Sequence, residues 1–137
     1  MLDVRSLDRR PLVAFVAIVL LGIAYGLLFP DRTDYVGHYL AGAGATLMLL
    51  AVVVALVPGR PLVVTAGVAV AVLLGVGTEA TIFRLAEFDP VDLANQSMGA
   101  VLAGIGLYDA KRGGASTGLA FVGGCVLLIA GFFYAFA

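Results

Sequence analysis

The sequence predicts an all-α membrane protein, a polytopic bundle of about five transmembrane helices in a single domain. Hydrophobic residues make up 62% of the 137 residues, charged residues make up 12%, and the mean hydropathy is +1.10. A water-soluble domain is far less apolar than this. The apolar residues also fall in runs close to the ~20 residues that a helix needs to cross a membrane, which is too long for the strands of a membrane barrel.

Five apolar runs predict the spans, and turn-forming residues separate them. The predicted spans lie near residues 12–29, 35–57, 62–83, 91–108 and 116–137. Pro30-Asp31 follows the first run, Pro58-Gly59-Arg60-Pro61 follows the second, and Lys111-Arg112-Gly113-Gly114 follows the fourth. Prolines and glycines in these positions indicate short connections between neighbouring helices of a compact bundle.

Basic residues gather at one end of the predicted bundle. They are Arg5, Arg9, Arg10, Arg60, Lys111 and Arg112, against Arg32 and Arg84 at the other end. Because cytoplasmic loops are enriched in Lys and Arg, this bias predicts a multi-pass protein of the cell membrane with its N-terminus in the cytoplasm and its C-terminus outside. The net charge of -1 leaves no basic patch for nucleic acid.

Polar residues cluster at the opposite end, which the predicted topology places outside the cell. The cluster consists of Asp31, Asp34, His38, Glu79, Arg84, Glu87, Asp89, Asp92, Asn95 and Gln96. In so apolar a chain, a one-sided group of polar side chains marks the place where binding or chemistry would occur. The candidate acid-base groups are Glu79, His38 and Asp92. The candidate substrate contacts are Arg84, Asp34, Asn95 and Gln96.

Glu79 is the strongest of these candidates. Counting from Leu62 at 1.5 Å per residue places Glu79 about 25 Å along the third span, roughly one turn inside the membrane boundary. Gly67, Ala71 and Gly75 precede it at four-residue spacing, which lets helices approach closely in lipid, so Glu79 should face the bundle. An ionisable group at such a depth indicates function, although a structural partner for a neighbouring polar group is the alternative.

His38 lies one helical turn after Asp34, so the two share a helix face and the carboxylate can orient or charge the imidazole. As the only histidine in the chain, His38 cannot form a multi-histidine metal site. A mixed site of His38, Glu79 and Asp92 is an alternative. No close ligand spacing supports it, and we predict no metal. No nucleotide-binding glycine loop or other cofactor motif is present, so the cofactor stays open.

Asp92 begins a polar stripe on the fourth span. Asn95 and Gln96 follow three and four residues later, which makes the start of this run polar enough to lie in a polar cavity. Asp89-Pro90, just before it, is typical of a helix start, with a capping side chain and then a proline in the first turn. Residues 31–34 have much the same pattern. Both pairs of acids therefore have a capping interpretation beside the functional one.

Three motifs occur in a fixed order: Asp34 and His38 at the start of one span, Glu79 late in the next, and Asp92-Leu-Ala-Asn-Gln-Ser-Met-Gly99-Ala at the start of a further one. Over about residues 31–106, this order resembles the VanZ-like family of small polytopic membrane proteins. That family takes its name from a glycopeptide-resistance cluster, in which a member is linked to low-level teicoplanin resistance. The resemblance implies a cell-envelope setting and supplies no particular reaction.

Three kinds of function fit these features. The first is an envelope protein that binds or modifies an amphiphilic or lipid-linked substrate, with Glu79 or His38 as acid or base and Arg84 holding an anionic group; whether a reaction follows binding stays open. The second is a structural or assembly subunit, whose small-residue ridges join it to a partner or to a second copy. The third is proton or ion transport, which the lack of ionisable groups deeper in the three middle spans weakens. Membrane lipid is a partner in each case.

Overall fold

The computed structural model is a bundle of five α-helices and describes residues 8–81, 89–112 and 115–136, without the side chains of Glu79 and Ala115. The helices are α1 (Arg10–Leu28), α2 (Thr33–Leu56), α3 (Pro61–Thr81), α4 (Pro90–Leu107) and α5 (Ala115–Ala135). Each begins one or two residues before the predicted span, and no strand occurs in the described part of the chain. The all-α prediction is confirmed. The last residues of the third and fifth predicted spans lie outside the described residues.

Four of the helices are long and apolar enough to cross a membrane. They are Arg10–Leu28, Thr33–Leu56, Pro61–Thr78 and Ser116–Ala135. The exception is α4, whose first two turns hold Asp92, Asn95 and Gln96 and lower its mean hydropathy. The fourth predicted span is the least apolar of the five, and α4 is the helix whose hydropathy is too low to mark it as membrane-spanning.

Successive helices run in opposite directions, and two sets of contacts show which ends meet. The backbone of Gly37 at the start of α2 contacts Ala135 at the end of α5. At the other end, Gly59 and Ala110 join the α2–α3 and α4–α5 connections by a hydrogen bond of 2.9 Å. We call the end that holds the starts of α2 and α4 the polar end, and the opposite end the basic end.

The central helix is α2, which contacts all four other helices. Its side chains supply much of the core, including Tyr39, Leu47, Leu50 and Val54, each almost wholly buried. The Tyr39 hydroxyl donates a hydrogen bond of 3.1 Å to the carbonyl oxygen of Ile18 on α1. This hydrogen bond offsets the free-energy cost of burying the hydroxyl, and it holds α1 against α2.

Glycines bring the backbones of α2, α4 and α5 into direct contact. A Cβ on Gly99 of α4 would collide with the carbonyl oxygen of Tyr39, and one on Gly42 would collide with that of Gln96. Gly124 and Gly131 of α5 approach α2 in the same way. Small residues allow this approach. The close approach of the α5 glycines to α2 was not among the predictions.

The ridge predicted on α3 faces the bundle. Gly67 lies against Leu50 of α2, and Gly75 lies against the side-chain amide of Gln96 on α4. Large apolar side chains such as Leu62 and Leu73 lie on the opposite face and are 80% and 68% exposed. In a membrane, lipid covers such an exposed face. The closely packed side faces α2 and α4, and the last turns of α3 lie at the polar end.

Candidate functional site

The start of α4 is fixed by a capping side chain. Asp89 Oδ1 accepts a hydrogen bond of 2.8 Å from the backbone N–H of Val91, and Pro90 stands in the first turn, as the sequence predicts. This cap ends the preceding connection and places Asp92 in the first turn of the helix. The capping interpretation is thus confirmed for Asp89, and Asp92 is available for a different contact.

The start of α2 is built differently from what its similar sequence predicts. Its N-cap residue is Arg32, which makes no side-chain capping hydrogen bond, so the expectation that residues 31–34 repeat the α4 cap is wrong. The Arg32 guanidinium binds Asp34 instead, at 3.1 Å and 2.9 Å, and lies 3.8 Å from the centre of the Tyr35 ring. The hydrogen bonds to Asp34 raise the pKa of Arg32. The Asp34 carboxylate was predicted to orient His38, but both of its oxygens accept hydrogen bonds from Arg32.

The central pair of the site joins α2 to α4. His38 Nε2 lies 3.4 Å from Asp92 Oδ2, and the two side chains are only 24% and 16% exposed. The second oxygen of Asp92, Oδ1, is buried and has no hydrogen-bond partner among residues 8–81, 89–112 and 115–136. Two of the three predicted acid-base groups therefore meet across a helix interface, and one oxygen of Asp92 accepts no hydrogen bond from the described residues.

Asn95 contacts Tyr25, a residue outside the predicted polar cluster. The Tyr25 hydroxyl of α1 donates a hydrogen bond of 2.6 Å to Asn95 Oδ1. Asn95 is only 4% exposed, and its Nδ2 has no partner in the described part of the protein. Tyr25 carries the one polar side chain in the last three turns of α1, at the end where the polar cluster was predicted, and that position could have indicated its role.

Three of the polar side chains at the start of α4 face three different helices. Asp92 faces α2, Asn95 faces α1, and Gln96 reaches Gly75 on α3. Asn95 and Gln96, predicted as substrate contacts, are thus engaged within the bundle. Helical geometry explains the division, because a side chain three residues on points about 60° to one side of the starting direction and a side chain four residues on points about 40° to the other.

The other residues of the predicted site, Glu79, Arg84 and Glu87, lie wholly or partly outside the described residues. Glu79 lies on the last turn of α3, at the polar end, and its side chain is outside the described set. Arg84 and Glu87 lie outside the described residues. Within the described part, which leaves out those side chains, no three His, Cys, Asp or Glu residues form a group able to hold a metal ion.

Two apolar clefts lie on the flanks of the bundle, and neither is lined by His38 or Asp92. One, of about 570 Å³, lies between α1, α2 and α5 and reaches Thr33 at the polar end. The other, of about 610 Å³, lies between α1 and α4 at the basic end. The polar pair and the clefts are therefore separate features of the molecule.

Comparison with known protein families, curated proteins and solved structures finds no match to this chain. The likeness to the VanZ-like family therefore stays a prediction based on the order of the motifs.

Replacing Tyr25 by phenylalanine tests the α1–α4 hydrogen bond. We expect Tyr25→Phe to lower the free energy of unfolding by about 1 kcal/mol, because Asn95 loses its donor while the aromatic ring is kept. The measurement is equilibrium unfolding in mixed micelles. Tyr134→Phe, on an exposed tyrosine near the end of α5, is the control. Equal effects of the two substitutions would contradict the assigned bond.

Proposed function

We propose that the protein binds or modifies an amphiphilic or lipid-linked envelope substrate at the polar end, with His38 and Asp92 as its acid-base pair. The observation that carries the proposal is the contact of 3.4 Å between them across the α2–α4 interface. Ionisable groups at such positions in apolar helices are costly, and they are found mainly where a protein uses them.

The chemistry available to this pair is proton exchange and anion binding. Imidazole gains or loses a proton near neutral pH more readily than any other side chain, and a neighbouring carboxylate stabilises its charged form. A protonated His38 held by Asp92 can donate a proton to a substrate oxygen or bind an anionic headgroup. The partial burial of both groups strengthens these interactions relative to water.

Other residues at the polar end extend this proposal. Glu79 is the second candidate acid or base, because its backbone lies at the same end of the bundle. Arg84 is the proposed contact for an anionic group, and Asp34 belongs to the same predicted polar cluster. The excess of basic residues at the opposite end supports an external position for the site, with the N-terminus in the cytoplasm and the C-terminus outside.

A structural role is the second candidate, and one observation favours it. Asp92, Asn95 and Gln96 each contact a different helix, an arrangement that would hold a bundle together without any chemistry. A structural or assembly subunit would need the same residues, alone or with a second copy. Transport is less well supported, because the backbone contact of Gly99 with Tyr39 closes the α2–α4 interface just below the pair.

Lipid analysis of the purified protein tests the main proposal. The protein is incubated in liposomes with a polyprenyl phosphate, a polyprenyl-pyrophosphate-linked sugar and phosphatidylglycerol, and bound and altered lipids are quantified by mass spectrometry. We expect one amphiphile to be enriched or converted by the unaltered protein, and this signal to fall at least a hundredfold for conversion, or about tenfold for binding, in His38→Gln and Asp92→Asn.

The matched control is Asp31→Asn, which removes an exposed carboxylate at the same end of the molecule. This variant should behave as the unaltered protein does. If folded His38→Gln and Asp92→Asn proteins keep the full lipid signal, the acid-base proposal is wrong. If both variants lose the fold under conditions in which Asp31→Asn keeps it, the structural role is favoured instead.

A further inference from the structure

The cleft at the basic end has an apolar interior. It measures about 610 Å³ and lies between the first turns of α1 and the last turns of α4. Val13 and Ala17 line one wall, and Leu102 and Ile105 line the other. Gly106 of α4 approaches the side chain of Ala14 and closes the inner side. The cleft therefore has the shape and lining of a groove for a hydrocarbon chain.

Two arginines stand at the mouth of this cleft. Arg10 Nη1 donates a hydrogen bond of 2.9 Å to the carbonyl oxygen of Tyr108, which fixes the guanidinium beside the end of α4. Its nearest carboxylate oxygen, on Asp109, is 4.0 Å away, and both side chains are mostly exposed. Arg9 is exposed, and no acidic side chain pairs with it among the described residues. Asp109 lines the mouth as well, and Asp8 beside Arg9 accepts a hydrogen bond of 3.1 Å from the backbone N–H of Arg10. Two arginines against one lining carboxylate leave the lining with a net positive charge, and Arg9 carries it without an acidic partner in the described part of the chain.

We propose that this cleft binds an anionic phospholipid of the surrounding membrane. The lipid phosphate lies against Arg9 and Arg10, and one acyl chain lies between α1 and α4. Charge complementarity selects the occupant, since basic pockets between transmembrane helices bind anionic headgroups, whereas the ammonium group of a zwitterionic lipid offsets the attraction. Tyr108, 41% exposed beside the mouth, has the amphipathic side chain found at membrane interfaces.

Lipid retention from bilayers of defined composition tests this site. The full chain is placed in nanodiscs that hold equal amounts of phosphatidylglycerol and phosphatidylcholine, and retained lipids are counted by native mass spectrometry. We expect phosphatidylglycerol to be preferred, and each arginine to contribute about fivefold to the preference. Arg9→Gln should therefore lower it about fivefold, and Arg9→Gln combined with Arg10→Gln should nearly remove it.

Two further variants separate the cleft from general surface charge. Arg60→Gln removes a basic residue at the same end but outside the cleft and should leave the preference unchanged. Ala17→Phe fills the apolar interior while both arginines remain, and it should release the bound lipid. Arg9→Gln removes no hydrogen bond or ion pair within the described structure, so it tests the proposal even if Arg10→Gln disturbs the end of α4.

Three results would overturn the proposal. The first is equal retention of the two lipids by the unaltered protein. The second is an unchanged preference in the folded Arg9→Gln variant. The third is a loss in Arg60→Gln as large as that in Arg9→Gln, which would assign the preference to diffuse charge at the basic end.

Discussion

Replacing Gly99 by alanine is expected to destabilise the bundle by about 3 kcal/mol, and replacing it by leucine is expected to prevent folding. The added Cβ would collide with the carbonyl oxygen of Tyr39 and the backbone nitrogen of Ala43. Backbone atoms in a central helix cannot move aside as a flexible side chain can, so α4 must separate from α2. The same movement would pull Asp92 away from His38 and weaken the polar site.

Two glycines elsewhere in the bundle provide matched controls for this prediction. A Cβ on Gly77 or on Gly118 would meet no atom within 4 Å among the described residues, apart from the nearby backbone of its own helix. Gly77→Ala and Gly118→Ala should therefore be neutral or mildly stabilising, because alanine favours the helix. The measurement is the monodisperse fraction after detergent extraction, followed by thermal unfolding. A Gly99→Ala protein as stable as the two controls would disprove the close α2–α4 contact.

The sequence predicts the helices well because the signals that define them are local. Runs of apolar residues set the spans, and the cap at Asp89 is determined by two neighbouring residues and the backbone. Small-residue spacing likewise predicts which side of α3 faces the bundle. None of these features requires knowledge of which helices are neighbours, and each follows from the chemistry of a few consecutive residues.

The pairing of polar groups could not be predicted in the same way. The sequence places Asp34 and His38 on one helix face, but the contact of Asp34 with Arg32 depends on how the chain enters α2. The contact of His38 with Asp92 depends on the relative rotation of two helices. That rotation is set by backbone contacts at Gly42 and Gly99, which the spacing of small residues does not assign to particular partners.

The composition of α4 has a physical explanation in these contacts. A helix with Asp92, Asn95 and Gln96 in its first turns is too polar to face lipid on every side, and neighbouring helices surround those residues. Each polar side chain then meets a different neighbour, so removal of any one of them should loosen one interface and leave the others in place. Contacts of this kind support a bundle and can also position a site.

A double-mutant cycle on His38 and Asp92 separates the two roles. We expect His38→Leu to lower the free energy of unfolding by about 2 kcal/mol, because it leaves a largely buried carboxylate without its imidazole partner. Asp92→Leu should have a smaller effect, because a partly buried imidazole left without its partner is less costly than a partly buried carboxylate left without one. The double variant should be more stable than the sum of the single effects predicts, with a coupling of about 1–2 kcal/mol. Equilibrium unfolding in mixed micelles measures all four proteins.

The Arg32–Asp34 pair is the control for this cycle, because its side chains are 44% and 36% exposed and the same replacements should show a much smaller coupling. Strictly additive effects at His38 and Asp92 would show that the two groups do not interact.

The folded double variant then decides between the functions. If it keeps the lipid enrichment or conversion, the pair is structural. If it folds but loses that signal, apolar side chains can take the place of the pair in folding but not in binding or catalysis. The acid-base proposal requires this result.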